Sequence, residues 1–169
     1  MTGPVLVLVG PPGAGKSTVG RAVAERLGVG FRDTDADVEA LAGKTVPEVF
    51  IDDGEERFRA LERRAVATAL AEHDGVLSLG GGAVLAEATR TLLADHVVVL
   101  LDADLASAAQ RVGLGQGRPL VGLNPRAQLR QLLDDRRSFY QAVARHTVDT
   151  SGLDLSSVVE RVLAFLEPR

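Results

Sequence analysis

The sequence predicts a three-layer α/β domain, in which a five-stranded parallel sheet carries helices on both of its faces. Short apolar runs alternate along the whole chain with stretches of helical periodicity, which is the pattern of an α/β fold. The apolar runs lack polar alternation, so we expect both faces of these strands to be buried, as in parallel sheets. The length of 169 residues suits one domain, which we assign to residues 1–169.

Each element has its own signature in the sequence. The predicted strands are the apolar runs at 5–9, 30–33, 76–79, 97–102 and 147–149, of which the last has the weakest pattern. Helical periodicity covers 16–27, 35–43, 46–51, 54–72, 86–94, 104–112, 125–145 and 155–166. Thr45 and Glu48 predict a capping box with Pro47 in the first turn, and Asn124 followed by Pro125 predicts the start of another helix.

Residues 113–122 interrupt this alternation, because they contain four glycines in ten residues and show no periodicity. Such a segment predicts a mobile loop, and long mobile loops in compact domains often act as lids. We therefore expect a lid over about 113–124. The alternative is a plain surface loop.

The composition excludes several classes of protein. A net charge of −4 does not match the basic surface that general nucleic-acid binders carry. The absence of cysteine excludes disulfides, thiolate metal sites and thiol nucleophiles. The apolar run at 5–9 is too short to span a membrane, and no basic residue precedes it as in a signal peptide. We expect a cytoplasmic monomer that binds neither nucleic acid nor membranes.

The segment GPPGAGKS at 10–17 lies between the first predicted strand and the first predicted helix, and it matches G-x-x-x-x-G-K-[ST]. Its glycines allow successive N–H groups to turn towards phosphate oxygens, and the helix adds its positive N-terminal end. Lys16 would supply a charge that follows the transferred phosphoryl group, while the Ser17 hydroxyl can bind Mg²⁺. The segment therefore predicts a binding site for a nucleoside triphosphate.

The acidic residues of the site are expected at the end of the second strand, at Asp33 and Asp35. The sequence has no Asn/Thr-Lys-x-Asp guanine motif, and the third strand leads into Gly80-Gly81-Gly82 rather than into an acid. The carboxyl ends of parallel strands meet at one edge, so the phosphate loop, the two acids and the glycines should converge in one crevice. At i and i+2 of a strand end, the two carboxylates should point the same way, one for a metal and one for an acceptor hydroxyl. The alternative is that they cap the following helix.

Arg59 lies beside an apolar stripe on the helix predicted over 54–72. Glu55 and Glu62 stand four and three positions away, so the spacing alone favours a surface ion pair. A planar guanidinium is also well suited to bind the carboxylate of a small acid. Both interpretations remain open at this point.

Taken together, the motifs resemble the shikimate kinases, a family of small P-loop kinases of aromatic amino-acid biosynthesis. The resemblance runs from about residue 5 to the end of the chain. Seven features carry it in order: the phosphate loop continued by Ser17-Thr18-x-Gly20-Arg21, Asp33-Thr34-Asp35, Thr45-x-x-Glu48-x-Phe50, Gly54-Glu55-x-x-Phe58-Arg59-x-x-Glu62, Gly80-Gly81-Gly82, Arg118-Pro119-Leu120 and Arg136-x-x-x-Tyr140. It implies the P-loop kinase fold with strand order 2-3-1-4-5, and the ATP-dependent conversion of shikimate to shikimate 3-phosphate.

The resemblance also implies roles for individual residues. The residues that would bind ATP are Gly13, Ala14, Gly15, Lys16, Ser17, Thr18, Arg111 against the adenine, and Arg118 from the lid. Ser17 and Asp33 would hold one Mg²⁺ ion per active site. The acceptor-binding region would cover about 33–61 and the shikimate ligands would be Asp35, Arg59, Gly81, Gly82 and Arg136. The catalytic residues would be Lys16, Asp35 and Arg118.

One departure concerns residues 151–153, which read Ser-Gly-Leu where many members of the family carry an arginine near the adenine. The departure leaves the adenine contacts open. Three histidines, His73, His96 and His146, lack the spacing of metal ligands, and we interpret them as structural or exposed.

Two alternative functions remain at the level of sequence. One is another small-metabolite kinase of the same architecture, such as a gluconate kinase or a nucleoside monophosphate kinase. A nucleotide acceptor would need arginines for its own phosphate, whereas Arg59 and Arg136 suit a carboxylate better. The other alternative is a non-catalytic nucleotide-binding module, against which the intact phosphate loop and acid pair argue.

Overall fold

The computed structural model describes residues 3–103 and 125–167. In chain order, the elements are β1 (Leu6–Val9), α1 (Lys16–Leu27), β2 (Phe31–Asp33), α2 (Thr34–Ala42), α3 (Val46–Glu72), β3 (Val76–Ser78), a 3₁₀ turn (Ala83–Leu85), α4 (Glu87–Leu93), β4 (Val98–Asp102), α5 (Pro125–Val143), β5 (His146–Asp149) and α6 (Leu155–Leu166). The helix predicted over 104–112 and the lid predicted over 113–124 lie outside the described residues.

The five strands form one parallel sheet in the order β2-β3-β1-β4-β5, which confirms the predicted topology. In the central strand, Val7 pairs with Leu77 on one side and with Val98 on the other. All residues of β1 and β3 are buried, whereas the edge strand β2 is half-buried. The continuous apolar runs therefore correspond to strands that are covered on both faces.

Helices cover the two faces of the sheet and form two apolar cores. Leu6 and Leu8 of β1 pack with α1 and α6 on one face. Val7 and Val9 point to the opposite face and pack with α3, α4 and α5. A third cluster, centred on Phe58, joins α2 to α3 beside the sheet. The three-layer architecture is thus confirmed.

Most described elements end within two residues of the predicted positions, and three differences are of interest here. Residues 46–72 form one helix with a break at Gly54, whose φ of 87° and ψ of 167° are not helical. This break separates the two helices predicted there. The helix α2 begins at Thr34, one residue earlier than expected, and the 3₁₀ turn after the glycines has no counterpart in the prediction. The Thr45 cap is confirmed, because its side chain accepts a hydrogen bond from the N–H of Glu48.

The start of the phosphate loop is set by close packing against the sheet. A Cβ atom at Gly10 would overlap the carbonyl oxygen of Leu101 at the end of β4. A Cβ atom at Gly20 would likewise overlap the ring of Phe31, over which the Arg21 guanidinium lies at 4.7 Å from the ring centroid. The loop and α1 can therefore approach the carboxyl edge of the sheet closely. Within the described ranges, no helix has the length and apolar character that a membrane span requires.

Candidate active site

The phosphate loop connects β1 to α1 and presents the N-terminus of that helix. Gly13 and Gly15 have φ angles of 82° and 90°, which a residue with a side chain adopts at a cost. Among the described residues, no side chain caps the helix and no acid lies in its first turn. The positive end of the α1 dipole therefore points into the phosphate loop, where it favours an anion.

The side chain of Lys16 folds back over the phosphate loop. Its ammonium donates hydrogen bonds to the carbonyl oxygens of Gly10 and Pro11, at 2.9 and 3.0 Å. A lysine ammonium has three donors and no acceptor, so the group places positive charge at the mouth of the loop. The predicted role of Lys16 with phosphate is compatible with this position.

Asp33 joins the loop to the end of β2. Its Oδ2 accepts a hydrogen bond from the Ser17 hydroxyl at 2.7 Å, and its Oδ1 accepts from the Asp35 N–H at 2.9 Å. Asp33 therefore caps α2, as the alternative interpretation expected, and it also contacts the phosphate loop. The expectation that Asp33 and Asp35 share a strand end is wrong, because Asp35 lies in the first turn of α2.

The donor set at this position fits Mg²⁺. A serine hydroxyl and a carboxylate are hard oxygen ligands, and Mg²⁺ is usually bound by one or two carboxylates together with phosphates. Within the described ranges, no group of three or more histidine, cysteine or acidic side chains could hold a metal. The ring of His73 instead contacts the Val76 carbonyl at 3.0 Å, and His146 stacks on Phe165.

A third acid of the segment, Asp37, has a different partner. The guanidinium of Arg32 donates to it at 2.8 Å and also reaches Glu72 at 3.3 Å. The hydrogen bond with Asp37 raises the pKa of Arg32 above its ordinary value. This ion pair ties β2 to α2 and α3, whereas Asp33 contacts the phosphate loop.

The three glycines at 80–82 are held from two sides. The N–H of Gly80 donates to the Thr34 hydroxyl at 3.2 Å, and the Tyr140 hydroxyl donates to the Gly81 carbonyl at 2.5 Å. A turn closes when the Ala83 N–H donates to the Gly80 carbonyl at 3.1 Å. Thr34 stands between the two acids in sequence, so the acids and the glycines converge as predicted.

Arg59 contacts the glycines through its guanidinium. Its Nη1 lies 2.8 Å from Glu62, and its Nη2 lies 3.5 Å from Glu55. Both ion pairs expected from the spacing are therefore present. The pair with Glu62 is not a surface feature, because the Glu62 and Arg59 side chains are only 3% and 16% exposed, whereas Glu55 is 67% exposed. A Cβ atom on Gly82 would overlap Nη1 of Arg59, so the guanidinium rests directly against that glycine.

Arg136 lies on α5 and is buried, with 7% of its surface exposed. Tyr140, one helical turn later, holds the Gly81 carbonyl. The two arginines thus come from α3 and α5, and both helices reach the glycines. Arg111 and Arg118 lie outside the described residues.

Two residues that shape this site, Thr34 and Tyr140, had no expected role, and both anchor the glycines. Glu62, which was expected only as an ion-pair partner, also orients Arg59. Each of them stands inside a quoted motif, at a fixed spacing from a predicted site residue. The sequence therefore identified these positions as part of motifs, but it did not show which distant residues they contact. The resulting site places a phosphate loop, two acids and a guanidinium next to one glycine turn.

Comparisons with known proteins agree with this geometry. The family model described as shikimate kinase matches residues 12–167. The shikimate kinase of Salinispora arenicola is 61% identical over 163 residues, which cover 96% of this chain and 98% of the relative. A solved structure of the Acinetobacter baumannii shikimate kinase in complex with shikimate has a TM-score of 0.91 at 34% identity, covering 98% of this chain and 93% of that one.

A gluconokinase structure from Sinorhizobium meliloti has a TM-score of 0.58 at 24% identity, covering 96% of this chain and 91% of that one. This likeness concerns the fold alone, so the gluconate alternative receives no support from it. The match to the family model and to relatives over nearly their whole length decides the matter. The chain belongs to the shikimate kinase family.

Proposed function

We propose that this protein transfers the γ-phosphoryl group of ATP to a hydroxyl group of shikimate, which yields shikimate 3-phosphate. It is a phosphotransferase with an alcohol acceptor, and ATP is its co-substrate, as follows from the family. The observation that carries the proposal is the convergence of two half-sites. One half is the phosphate loop, which contacts Asp33 through Ser17. The other half is the glycine segment 80–82, which is bonded to Thr34, the residue after Asp33.

The ATP phosphates are proposed to lie in the loop against Gly13, Ala14, Gly15, Lys16, Ser17 and Thr18. The backbone N–H groups and the start of α1 neutralise part of the phosphate charge. The ammonium of Lys16 lies at the mouth of the loop, where its positive charge would attract the phosphate oxygens. Catalysis in this reaction class consists mainly of positioning and charge stabilisation.

One Mg²⁺ ion per active site is proposed at Ser17 and Asp33. When bound, it would neutralise charge on the β- and γ-phosphate oxygens. The carboxylate of Asp33 is oriented for this by its second oxygen, which caps α2. Ser17 in turn is held 2.7 Å from that carboxylate, so both oxygens lie together beside the loop.

The acceptor is proposed to bind between Arg59, Arg136, Gly81 and Gly82, with Asp35 at its ring hydroxyls. Guanidinium groups bind a carboxylate with two parallel hydrogen bonds, which suits the single carboxylate of shikimate. The glycines allow the ring to approach the backbone closely. Asp35 would accept the proton of the attacking hydroxyl, the role that a base near the phosphate loop has in kinases.

Arg118 and Arg111 are proposed from the sequence to meet the ATP phosphates and the adenine. The proposed lid over 113–124 would close on both substrates and exclude water from the reaction. We also propose that the chain acts as a monomeric single domain in the cytoplasm, without nucleic-acid or membrane partners. Sedimentation equilibrium with and without both substrates tests the oligomeric state.

A coupled ADP-release assay tests the proposed reaction. The acceptors are shikimate, gluconate and AMP, each supplied with saturating ATP and Mg²⁺. Shikimate should stimulate ADP release, and mass spectrometry of the product should show one added phosphoryl group. Stimulation by gluconate or AMP without stimulation by shikimate would overturn the proposal.

A further inference from the structure

The turn over residues 80–83, called the glycine turn below, contains two N–H groups without a hydrogen-bond acceptor among the described residues. Gly81 and Gly82 are both buried, yet within the described ranges no group accepts a hydrogen bond from either N–H. Gly82 has φ −105° and ψ 6°, the geometry of the third residue of a type I turn. Buried N–H groups without an acceptor are rare in proteins, so these two are suited to an acceptor from outside the chain.

The orientation of the Gly82 N–H is determined by the hydrogen bond that Tyr140 makes to the preceding carbonyl group. The peptide between Gly81 and Gly82 is trans, so the Gly81 carbonyl and the Gly82 N–H point in opposite directions. Tyr140 holds that carbonyl with a 2.5 Å hydrogen bond from a side chain that is only 4% exposed. The Gly82 N–H must therefore point away from Tyr140, and the guanidinium of Arg59 rests on the same glycine.

The first glycine of the turn is fixed in a similar way. Its N–H donates to the hydroxyl of Thr34, which is fully buried at the start of α2. Thr34 follows Asp33, whose carboxylate contacts Ser17. The turn is thus held between two hydroxyls. That of Thr34 lies next to the proposed metal site, and that of Tyr140 lies one helical turn from Arg136.

We propose that Tyr140 and Thr34 are positioning residues for shikimate, because their hydroxyls fix the turn that directs the Gly82 N–H towards the acceptor. This inference rests on the proposed function, in which Gly81 and Gly82 bind shikimate. Neither hydroxyl touches the reacting atoms. Each acts through the peptide backbone, so its loss weakens acceptor binding and leaves the nucleotide site intact.

Tyr140→Phe removes one hydroxyl and keeps the ring in place. We expect the KM for shikimate to rise about 3- to 10-fold, the effect of one lost hydrogen bond. The KM for ATP and kcat should stay within about twofold, since the interaction lost concerns acceptor binding. Isothermal titration with shikimate should show the same loss of affinity. In ¹⁵N NMR spectra, the shift of the Gly82 amide on shikimate binding should become smaller.

The neighbouring residue supplies a matched control. Phe139 packs against the same apolar core but is not hydrogen-bonded to the turn, so Phe139→Leu should lower the melting temperature and leave the shikimate KM unchanged. For the second hydroxyl, Thr34→Val should raise the shikimate KM, whereas Thr34→Ser keeps the hydroxyl and should restore it. A rise that Thr34→Ser fails to restore would speak against the proposal.

Arg59→Ala separates failure of this inference from failure of the proposed function. If Arg59→Ala raises the shikimate KM while Tyr140→Phe only lowers the melting temperature, Tyr140 is structural and the inference is wrong. If neither substitution changes shikimate affinity, the acceptor pocket itself is misplaced and the proposed function must be revised.

Discussion

The guanidinium of Arg59 occupies the space that a side chain at position 82 would need. A Cβ atom on Gly82 would overlap Nη1 of Arg59 and lie only 2.6 Å from Nη2. The guanidinium cannot move away freely, because Nη1 is bonded at 2.8 Å to the buried carboxylate of Glu62. The position of the Arg59 guanidinium therefore requires that residue 82 has no side chain.

Gly82→Ala should displace Arg59 and weaken acceptor binding. Misplacing a binding group by about 1 Å can cost on the order of 10²-fold in rate, so we expect kcat/KM for shikimate to fall about 10- to 100-fold. The control is the same substitution in an Arg59→Ala background, where the overlap no longer exists. Its additional effect there should be small, and full additivity of the two substitutions would contradict the proposed contact.

Arg59 and Arg136 should both determine shikimate affinity. Loss of a charge-assisted hydrogen bond costs roughly 1.5–3 kcal/mol, which corresponds to a shikimate KM raised ~10- to 100-fold in each alanine variant. The KM for ATP should move little. Lysine at either position should restore the affinity only in part, because an ammonium cannot form two parallel hydrogen bonds with a carboxylate. If both alanine variants kept the wild-type shikimate KM, these arginines would have no part in acceptor binding.

The two oxygens of Asp33 allow its two roles to be separated. Asp33→Asn keeps an oxygen that can cap α2, so the free energy of unfolding should change by less than about 0.5 kcal/mol. It removes the negative charge beside Ser17, and turnover at saturating ATP should fall on the order of 10²-fold or more. Asp33→Ala should lose the cap as well, about 1 kcal/mol. Wild-type kcat in Asp33→Asn at saturating Mg²⁺ would refute the proposed metal role.

Asp154 provides a matched cap outside the site. Its side chain accepts a hydrogen bond from the Ser157 N–H at 2.8 Å and caps α6. Asp154→Ala should lower the melting temperature without any effect on turnover. The hydrogen bonds with Ser157 lower the pKa of Asp154, so its stabilising effect is present above the unfolded pKa. The difference in melting temperature from wild type should become smaller as the pH falls through the folded pKa, because the contribution of the negative charge is lost.

Gly54 should tolerate alanine less well than Gly43, the glycine at the end of α2. Its φ of 87° and ψ of 167° lie in a region that is nearly restricted to glycine, and Gly54→Ala should cost towards the upper end of about 1–3 kcal/mol. Gly43→Ala is the control, because φ 74° and ψ 18° are left-handed helical and cost roughly 1–2 kcal/mol. Urea unfolding compares the two. Equal destabilisation would show that the break in α3 relaxes.

Arg118→Ala should lower kcat more than it weakens shikimate binding. An arginine that meets the phosphates only after closure acts mainly on the transition state, an effect on the order of 10²-fold or more. Shikimate affinity, measured by titration calorimetry without nucleotide, should remain near the wild-type value. A variant defective only in shikimate affinity would instead assign Arg118 to the acceptor pocket.

The sheet could be predicted because its information is local. A continuous apolar run identifies a buried strand by itself, and the weak run at 147–149 forms the edge strand β5, in which Val148 alone is buried. The resemblance to a kinase family then supplied the strand order. Two helices were predicted on either side of residues 52–53, and the break lies one residue later, at Gly54, which the prediction placed at the start of the second helix.

The burial of Arg59 could not be predicted from its neighbours in sequence. Spacing correctly indicated ion pairs with Glu55 and Glu62, but it did not indicate that Arg59 and Glu62 would be buried, because only the folded chain brings Gly82 to Arg59. The same holds for Tyr140, which finds its carbonyl partner 59 residues away. Such pairings follow from the tertiary fold and leave no periodic pattern in the sequence.

The hydrogen bonds of Lys16 to the carbonyls of Gly10 and Pro11 close the phosphate loop into a ring. The loop is thus preorganised: its conformational entropy is lost on folding and need not be lost again when ATP binds. A substitution at Lys16 consequently does more than delete one charge, because it also opens the ring. Variants at this position should bind nucleotide with a more unfavourable entropy, in addition to their loss of turnover.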